Sequence, residues 1–170
     1  MTNSFKYVER IENFEKAYGY VPMIGKVILD IGADWGSTPH FFLSKGATKV
    51  IAVEGAPSFY KQLVKNFIGD PRVFPILLFL NKKEHFEELL RVHQPDVVKI
   101  DCEGCEKYLV DIYPEVLRLA KEYVIETHPP CEILVSLLGT FYAAGFKLIK
   151  HVPAGKGNTG VQYYTIPSST

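Results

Sequence analysis

The sequence lacks what several large protein classes require. Its charges balance at 19 basic and 19 acidic residues, and no run of lysine or arginine could follow a phosphate backbone. No stretch reaches the roughly 20 apolar residues that cross a bilayer. The first twenty residues mix charged and apolar types, unlike a secretory signal, and three cysteines imply no disulfide framework. We therefore expect a cytoplasmic protein, in a reducing setting, that binds neither nucleic acid nor membrane.

What the chain does have is a succession of short apolar runs separated by amphipathic stretches. Apolar residues at helical spacing predict an amphipathic helix and its lead-in over residues 1–25. Five strand–helix units and a final pair of strands follow, and this pair should be antiparallel because only a loop joins it. The predicted strands are 27–31, 49–54, 73–78, 96–100, 122–126, 146–152 and 161–166, and the predicted helices are 37–44, 57–68, 83–92, 103–120 and 132–144.

This pattern predicts an α/β fold of three layers around a doubly wound, mostly parallel sheet of seven strands. The whole chain, 1–170, is expected to be one domain, with residues 26–170 as its core. Ligands of such sheets lie beyond the carboxyl ends of the strands. Four polar segments follow strands here and should share that edge: residues 30–36, Glu54, residues 101–104 and residues 126–128.

The first of these segments, DIGADWGS, has two glycines where a nucleotide-binding turn needs them, Gly32 and Gly36. Asp34 replaces the middle glycine of the dinucleotide pattern. Its carboxylate would repel a pyrophosphate but could accept hydrogen bonds from an ammonium group. Glu54 comes a little over twenty residues after Gly32, where a carboxylate can bind both hydroxyls of a ribose. The pair favours a cofactor that carries an amino acid and a nucleoside.

Three stretches carry a family resemblance: VILDIGADWGS, VIAVEG and VVKIDCEGCEKYL, with VIETH after them. The sequence resembles S-adenosylmethionine-dependent methyltransferases, and within them the FkbM-type enzymes with their Lys-Ile-Asp-x-Glu-Gly-x-Glu signature. The resemblance implies a Rossmann-like methyltransferase fold, S-adenosylmethionine as cofactor, and O-methylation of a small hydroxylated or sugar-like acceptor. It also implies where the cofactor would bind: Asp30, Gly32, Ala33 and Gly36 at its methionine end, Glu54 at the ribose, Asn81 at the adenine and Asp101 beside the sulfonium.

The residues themselves are consistent with that chemistry. Methyl transfer requires an aligned nucleophile and a group that removes its proton. Asp101 could stabilise the sulfonium, and Glu103 or His128, at the ends of neighbouring strands, could act as general base. The predicted catalytic residues are thus Asp101, Glu103 and His128. Trp35 adds bulk to the glycine turn, where it could pack on the cofactor or partly fill its pocket.

Other interpretations remain open at this point. Cys102, Cys105, His128 and Cys131 could together form a tetrahedral zinc site, although the expected alternation points Cys102 away from Asp101 and Glu103, and we expect no metal. Lys99, inside a buried strand, needs an ion-pair partner such as Glu126. Finally, the chain could be a non-catalytic or relict methyltransferase module that acts as a binding or structural protein.

Overall fold

The structure is a computed structural model that describes residues 8–130, 132–153 and 160–167. A seven-stranded sheet forms its centre, in the order β3-β2-β1-β4-β5-β7-β6. The first five strands pair in parallel, and β7 runs antiparallel to both of its neighbours. The strands are β1 Val27–Ile31, β2 Lys49–Glu54, β3 Val73–Leu77, β4 Val97–Ile100, β5 Glu122–Thr127, β6 Lys147–Pro153 and β7 Gly160–Thr165.

All seven strands were predicted to within one residue at either end. The central strands are apolar on both faces because helices cover both, which is typical of parallel sheets. Strand order reverses between β1 and β4, which pair in parallel with Asp30 opposite Lys99. An edge strand, β3, contains Pro75, a residue that central strands do not tolerate.

Helices form the two outer layers. On one face Tyr18, Phe41 and Leu63 pack against the sheet, and on the other Phe86 and Phe141 do so. The predicted doubly wound three-layer fold is confirmed. The helices are α1 Val8–Tyr18, α2 Ser37–Ser44, α3 Pro57–Asn66, α4 Lys83–His93, α5 Pro114–Leu117 and α6 Glu132–Ala143. Of the predicted N-terminal helix, residues 1–7 lie outside the described residues.

The long helix predicted over residues 103–120 is wrong. The chain forms a 3-10 helix at Cys105–Asp111 and only one α-helical turn, α5. The two residues that precede the 3-10 helix have left-handed backbone conformations, Glu103 at φ 55° and Gly104 at φ 109°. A regular α-helix therefore cannot begin there. Pro114 restricts the preceding residue to extended conformations and separates the two pieces.

No helix within the described ranges has the length and apolar character to cross a membrane.

Candidate active site

An open cavity of about 550 Å³ lies at the carboxyl edge of the sheet, and three of the four predicted polar segments line it, all but residues 126–128. This volume is within the usual range for small-molecule sites. The parallel strands bring four segments of the chain to its wall: Gly32 and Asp34 after β1, residues 54–56 at the end of β2, residues 78–80 after β3 and residues 101–103 after β4.

Gly32 is required at the base of this cavity. Its φ is +81°, and a Cβ built on it would lie 1.7 Å from the carbonyl oxygen of Asp101. Its N–H and that of Ala33 both donate to the carbonyl of Val53, at 2.9 and 3.0 Å. The turn after β1 is therefore held against the ends of both neighbouring strands. Ala33 is buried in the core, and Gly36, at φ +106° before α2, packs against Phe67; neither is on the cavity wall.

Glu54 presents a carboxylate that the main chain holds in place. The N–H of Asp34 donates to its Oε2 at 2.8 Å, and the N–H of Ala56 donates to its Oε1 at 2.7 Å. Asp34 adopts a left-handed φ of 52°, uncommon for a residue other than glycine. Each carboxylate oxygen retains a second lone pair, so Glu54 can still accept hydrogen bonds from two neighbouring hydroxyls.

Asp30 and Lys99 form a buried ion pair behind the cavity wall. Lys99 Nζ lies 3.0 Å from Asp30 Oδ1 and donates to the carbonyl of Gly32 at 2.7 Å, while Thr38 donates to Asp30 Oδ2 at 2.6 Å. The expected ion pair of Lys99 is present, but its partner is Asp30 rather than Glu126. The reason is the register of β1 and β4, which places Asp30 directly opposite Lys99.

Burial and the neighbouring charges act in opposite directions on the ionisation of both members of this pair. It raises the pKa of Asp30, against the lowering effects of Lys99 and Thr38. Burial also opposes the charge on Lys99, but the carboxylates of Asp30 and Asp101 outweigh it, and the pKa of Lys99 lies above its usual range. The pair thus supports the turn at Gly32 from behind, and Asp30 does not reach the cavity.

The predicted catalytic residues are close together. His128 Nε2 lies 3.4 Å from Glu103 Oε2 and 3.9 Å from Asp101 Oδ1. Asp101 and Glu103 line the cavity, and His128, after β5, is beside them. The Glu103 side chain is 87% exposed, whereas that of His128 is only 21% exposed. The group is thus accessible from solvent on one side.

Glu106 is the functional candidate that sequence reasoning missed. It is fully buried, and its Oε1 accepts the His128 N–H at 2.8 Å and lies 3.1 Å from His128 Nδ1. Its Oε2 accepts the N–H of Gly104 at 3.0 Å. A histidine that donates from Nδ1 to a carboxylate presents Nε2 to its surroundings. The signal was the position of Glu106 in the same signature as Glu103, to which no role had been assigned.

Glu126, in β5, extends the group of carboxylates. One oxygen of Glu126, one of Asp101 and one ring nitrogen of His128 all lie within 4.8 Å of one another. Partial burial raises the pKa of Glu126, and the charge of Asp101 raises it further. Acidic side chains are therefore gathered at the ends of β4 and β5, and Glu126 keeps its proton to a higher pH than an exposed glutamate does.

The cysteines differ from the expectation. Cys102 and Cys105 form a disulfide, with Cα atoms 5.5 Å apart, so neither can be a thiolate ligand and the four-ligand zinc site is wrong. Cys131 lies outside the described residues. Both disulfide cysteines line the cavity beside Asp101 and Glu103, because the chain leaves the strand geometry after Ile100 and the predicted alternation fails. The cysteine count therefore no longer argues for a reducing setting.

The adenine end of the predicted site has a different wall from the one expected. Leu78, Phe79 and Leu80 line the cavity, and Asn81 is exposed just beyond them. Trp35 is not on the wall either. Its ring packs edge-on against the ring of Phe59, at a centroid distance of 6.2 Å, and Phe59 does line the cavity. The surface available to a planar ring is thus apolar.

Solved structures share this fold. Fibrillarin of Aeropyrum pernix, solved with natively bound S-adenosyl-L-methionine, matches with a TM-score of 0.66 at 18% identity, over 90% of this chain and 74% of its own. A ribosomal protein L11 methylase of Lactobacillus delbrueckii matches with a TM-score of 0.63 at 13% identity, over 94% of this chain and 76% of its own. At such identities the likeness shows the fold, a Rossmann-like methyltransferase fold. No protein-family model matches the chain.

Two curated relatives are viral proteins of uncharacterized function. Protein 65 of Sulfolobus islandicus filamentous virus (isolate Iceland/Hveragerdi) is 33% identical over 100 residues, 58% of this chain and 60% of its own length. Protein 158B of Sulfolobus islandicus rod-shaped virus 1 is 35% identical over 131 residues, 76% of this chain and 77% of its own length. The chain belongs to the family of protein 158B.

Proposed function

We propose that this protein is an S-adenosylmethionine-dependent methyltransferase. The observation that carries the proposal is the carboxylate of Glu54, fixed by two main-chain N–H groups at the wall of a 550 Å³ cavity whose base requires glycine at position 32. Solved structures of this fold support it, since one of them contains the cofactor.

The residues of the cavity fit this cofactor at three points. Glu54 can accept the two ribose hydroxyls, and the apolar wall of residues 78–80 with Phe59 suits the adenine ring. Asp34 and Asp101 supply carboxylates for the ammonium and the sulfonium. A dinucleotide fits worse because its pyrophosphate would meet Asp34.

We also propose the finer assignment, an FkbM-type O-methyltransferase. It rests on the signature from Lys99 to Glu106, which supplies both the turn support and the carboxylates of the site. The acceptor would be a small hydroxylated molecule, because the acceptor side presents carboxylates and a histidine that can take a proton from a hydroxyl. The methylated substrates that the names of the solved relatives indicate do not decide the acceptor at these identities.

The cofactor, when bound, supplies a methyl group carried on a sulfonium. As the methyl group is transferred, the electron pair of the broken C–S bond stays on sulfur. Either Glu103 or His128 would accept the single proton of the acceptor hydroxyl as its oxygen forms the new bond to the methyl carbon. Glu106 would hold the imidazole with Nε2 toward that hydroxyl. Asp101 would face the positive charge until it is lost.

Calorimetric titration with S-adenosylmethionine and S-adenosylhomocysteine, with NAD and ATP as controls, tests the proposal. We expect selective binding of the two adenosyl compounds, and a melting temperature that rises with their concentration. A folded protein that binds none of the four would refute the enzyme and support a structural module. Glu103→Gln then separates catalysis from binding: we expect turnover to fall about 10²–10⁴-fold with cofactor affinity unchanged.

A further inference from the structure

The ends of β4 and β5 bring three possible metal-ligand atoms together, two carboxylate oxygens and one imidazole nitrogen. Asp101, Glu126 and His128 each offer one, and all three lie within 4.8 Å of one another. Oxygen and nitrogen ligands bind divalent cations at roughly 2.0–2.3 Å, so the ligands of one ion are typically about 3–4.5 Å apart. The separation here is close to that of a cation site with small side-chain adjustments.

A residue outside this set prepares the histidine. The buried carboxylate of Glu106 accepts the main-chain N–H of His128 and lies 3.1 Å from its Nδ1. Metal-binding histidines usually donate their other ring N–H to a carboxylate in this way, which fixes the tautomer and the orientation of the ring. His128 thus turns Nε2 toward Asp101 and Glu103, which is the orientation that binding of a cation between these side chains requires.

The group also lacks a positive side chain of its own. Among the described residues, no lysine or arginine forms an ion pair with Asp101 or Glu126. The nearby Lys99 is committed to Asp30 and to the carbonyl of Gly32. The carboxylates of Asp101 and Glu126 therefore have no lysine or arginine in direct contact among the described residues, at a partly exposed edge of the sheet.

We propose that Asp101, Glu126 and His128 bind a divalent first-row transition-metal cation on the acceptor side of the cavity. Carboxylates suit Mn²⁺ and imidazole suits Fe²⁺ or Zn²⁺, so a mixed set accommodates this series. Three protein ligands leave coordination positions for water or for an acceptor oxygen.

The use of the cation in catalysis rests on the proposed methyl transfer, but its binding does not. A cation lowers the pKa of a hydroxyl bound to it. The acceptor would then lose its proton to Glu103, which is not one of the three ligands, and its oxygen would take the methyl group as the C–S bond breaks toward sulfur. With the cation bound, His128 acts as a ligand and Glu103 alone as the base.

The test is a titration of the chelator-treated full chain with Mn²⁺, followed by the electron paramagnetic resonance signal of the free ion. We expect one saturable site. Glu126→Gln should weaken it at least tenfold, and Glu106→Gln, which removes the support of His128, about 10–100-fold. Glu88→Gln, an exposed carboxylate in α4, is the matched control and should leave the affinity unchanged.

Absence of a saturable site would overturn the proposal, as would binding that persists in both Glu126→Gln and Asp101→Asn. Two ligand variants are used, each checked by its circular dichroism spectrum, so that one misfolded variant does not decide the result. Titration of the same samples with S-adenosylmethionine keeps the two proposals apart. Cofactor binding without Mn²⁺ binding refutes only the metal site, and Mn²⁺ binding without cofactor binding refutes only the methyltransferase.

Discussion

The two halves of the cavity edge are built in different ways. On the half that we propose binds the cofactor, called here the cofactor half, the main chain fixes the site: Glu54 accepts two N–H groups, and the turn at Gly32 is held by the carbonyl of Val53. On the half that we propose binds the methyl acceptor, called here the acceptor half, side chains form most of the contacts, with Glu103 largely exposed and His128 held by Glu106. Main-chain N–H groups do not depend on side-chain identity, so apart from Glu54 and Gly32 this half should tolerate most substitutions in its turns. The other half depends on the identity of its side chains, so single substitutions should alter it more readily.

The largest expected effect is that of a substitution at Gly32, in the turn of the cofactor half. We expect Gly32→Ala to destabilise the fold by about 4–5 kcal/mol, because its Cβ would overlap the carbonyl of Asp101 and its φ is left-handed. Chemical denaturation measures the change. Gly69→Ala is the matched control, with the same φ of +81° but no atom within 4 Å of the added Cβ, and should cost only about 1–2 kcal/mol. Equal losses in the two variants would contradict the steric argument.

The buried ion pair behind the turn comes next. Lys99→Met leaves Asp30 buried with no opposite charge, and we expect a loss of about 3–5 kcal/mol in the free energy of unfolding. The double variant Asp30→Asn with Lys99→Met should recover part of that loss, since no charge remains unpaired. If the double variant were less stable than Lys99→Met, the pair would be contributing something other than mutual neutralisation.

Glu54→Gln tests the cofactor half directly. An amide cannot accept at both positions, so one of the two main-chain N–H groups loses its partner. We expect affinity for S-adenosylmethionine to fall about 10–100-fold, equivalent to about 1–3 kcal/mol. Isothermal titration provides the measurement, with Glu88→Gln as control. Unchanged affinity would show that the ribose is bound elsewhere.

On the acceptor half, the disulfide fixes the turn that carries Glu103. It closes a loop of about four residues, so we expect Cys102→Ser with Cys105→Ser to cost about 2 kcal/mol. Thermal melts with and without reductant should shift for the wild type only. If the reductant lowered the melting temperature of the double variant by a similar amount, its effect would not be due to this disulfide.

The smallest expected effect is that of Glu126→Gln on stability. The folded protein raises the pKa of Glu126, so the carboxyl stabilises the fold in its neutral form, and this contribution is lost as the pH rises through the raised pKa. With a chelator present, the variant should match the wild type near about pH 4 and be slightly more stable at neutral pH. Denaturation at the two pH values tests the sign, and a variant less stable at neutral pH would contradict it.

The sequence was sufficient for the framework of this molecule and less so for its contacts. Strands such as β1 and β2 were predicted to the residue because apolar runs bounded by glycine or a carboxylate leave little choice. The ion pair of Lys99 depends on which strands are neighbours in the sheet, and β1 and β4 are far apart in the chain. Local pattern contains no information on that pairing.

The residues after β4 show a second limit. Their spacing is typical of a helix, but Glu103 and Gly104 take left-handed conformations and the disulfide closes the turn. Only in that shape does Glu106 turn back to His128, so its role could not be read from helical periodicity. The roles of the predicted site residues stay predictions until the titrations above are made.

Pro75 has a consequence for how the molecule behaves among its own copies. On either side of β3, the carbonyl of Arg72 and the N–H of Leu78 pair with β2, so by alternation the backbone nitrogen of Pro75 lies on the free side of the edge. That edge also exposes Phe74 and Leu77, a combination that invites a second chain to extend the sheet. A proline there offers no donor to an incoming strand, and the exposed edge is a poorer template for aggregation than its apolar side chains alone would make it.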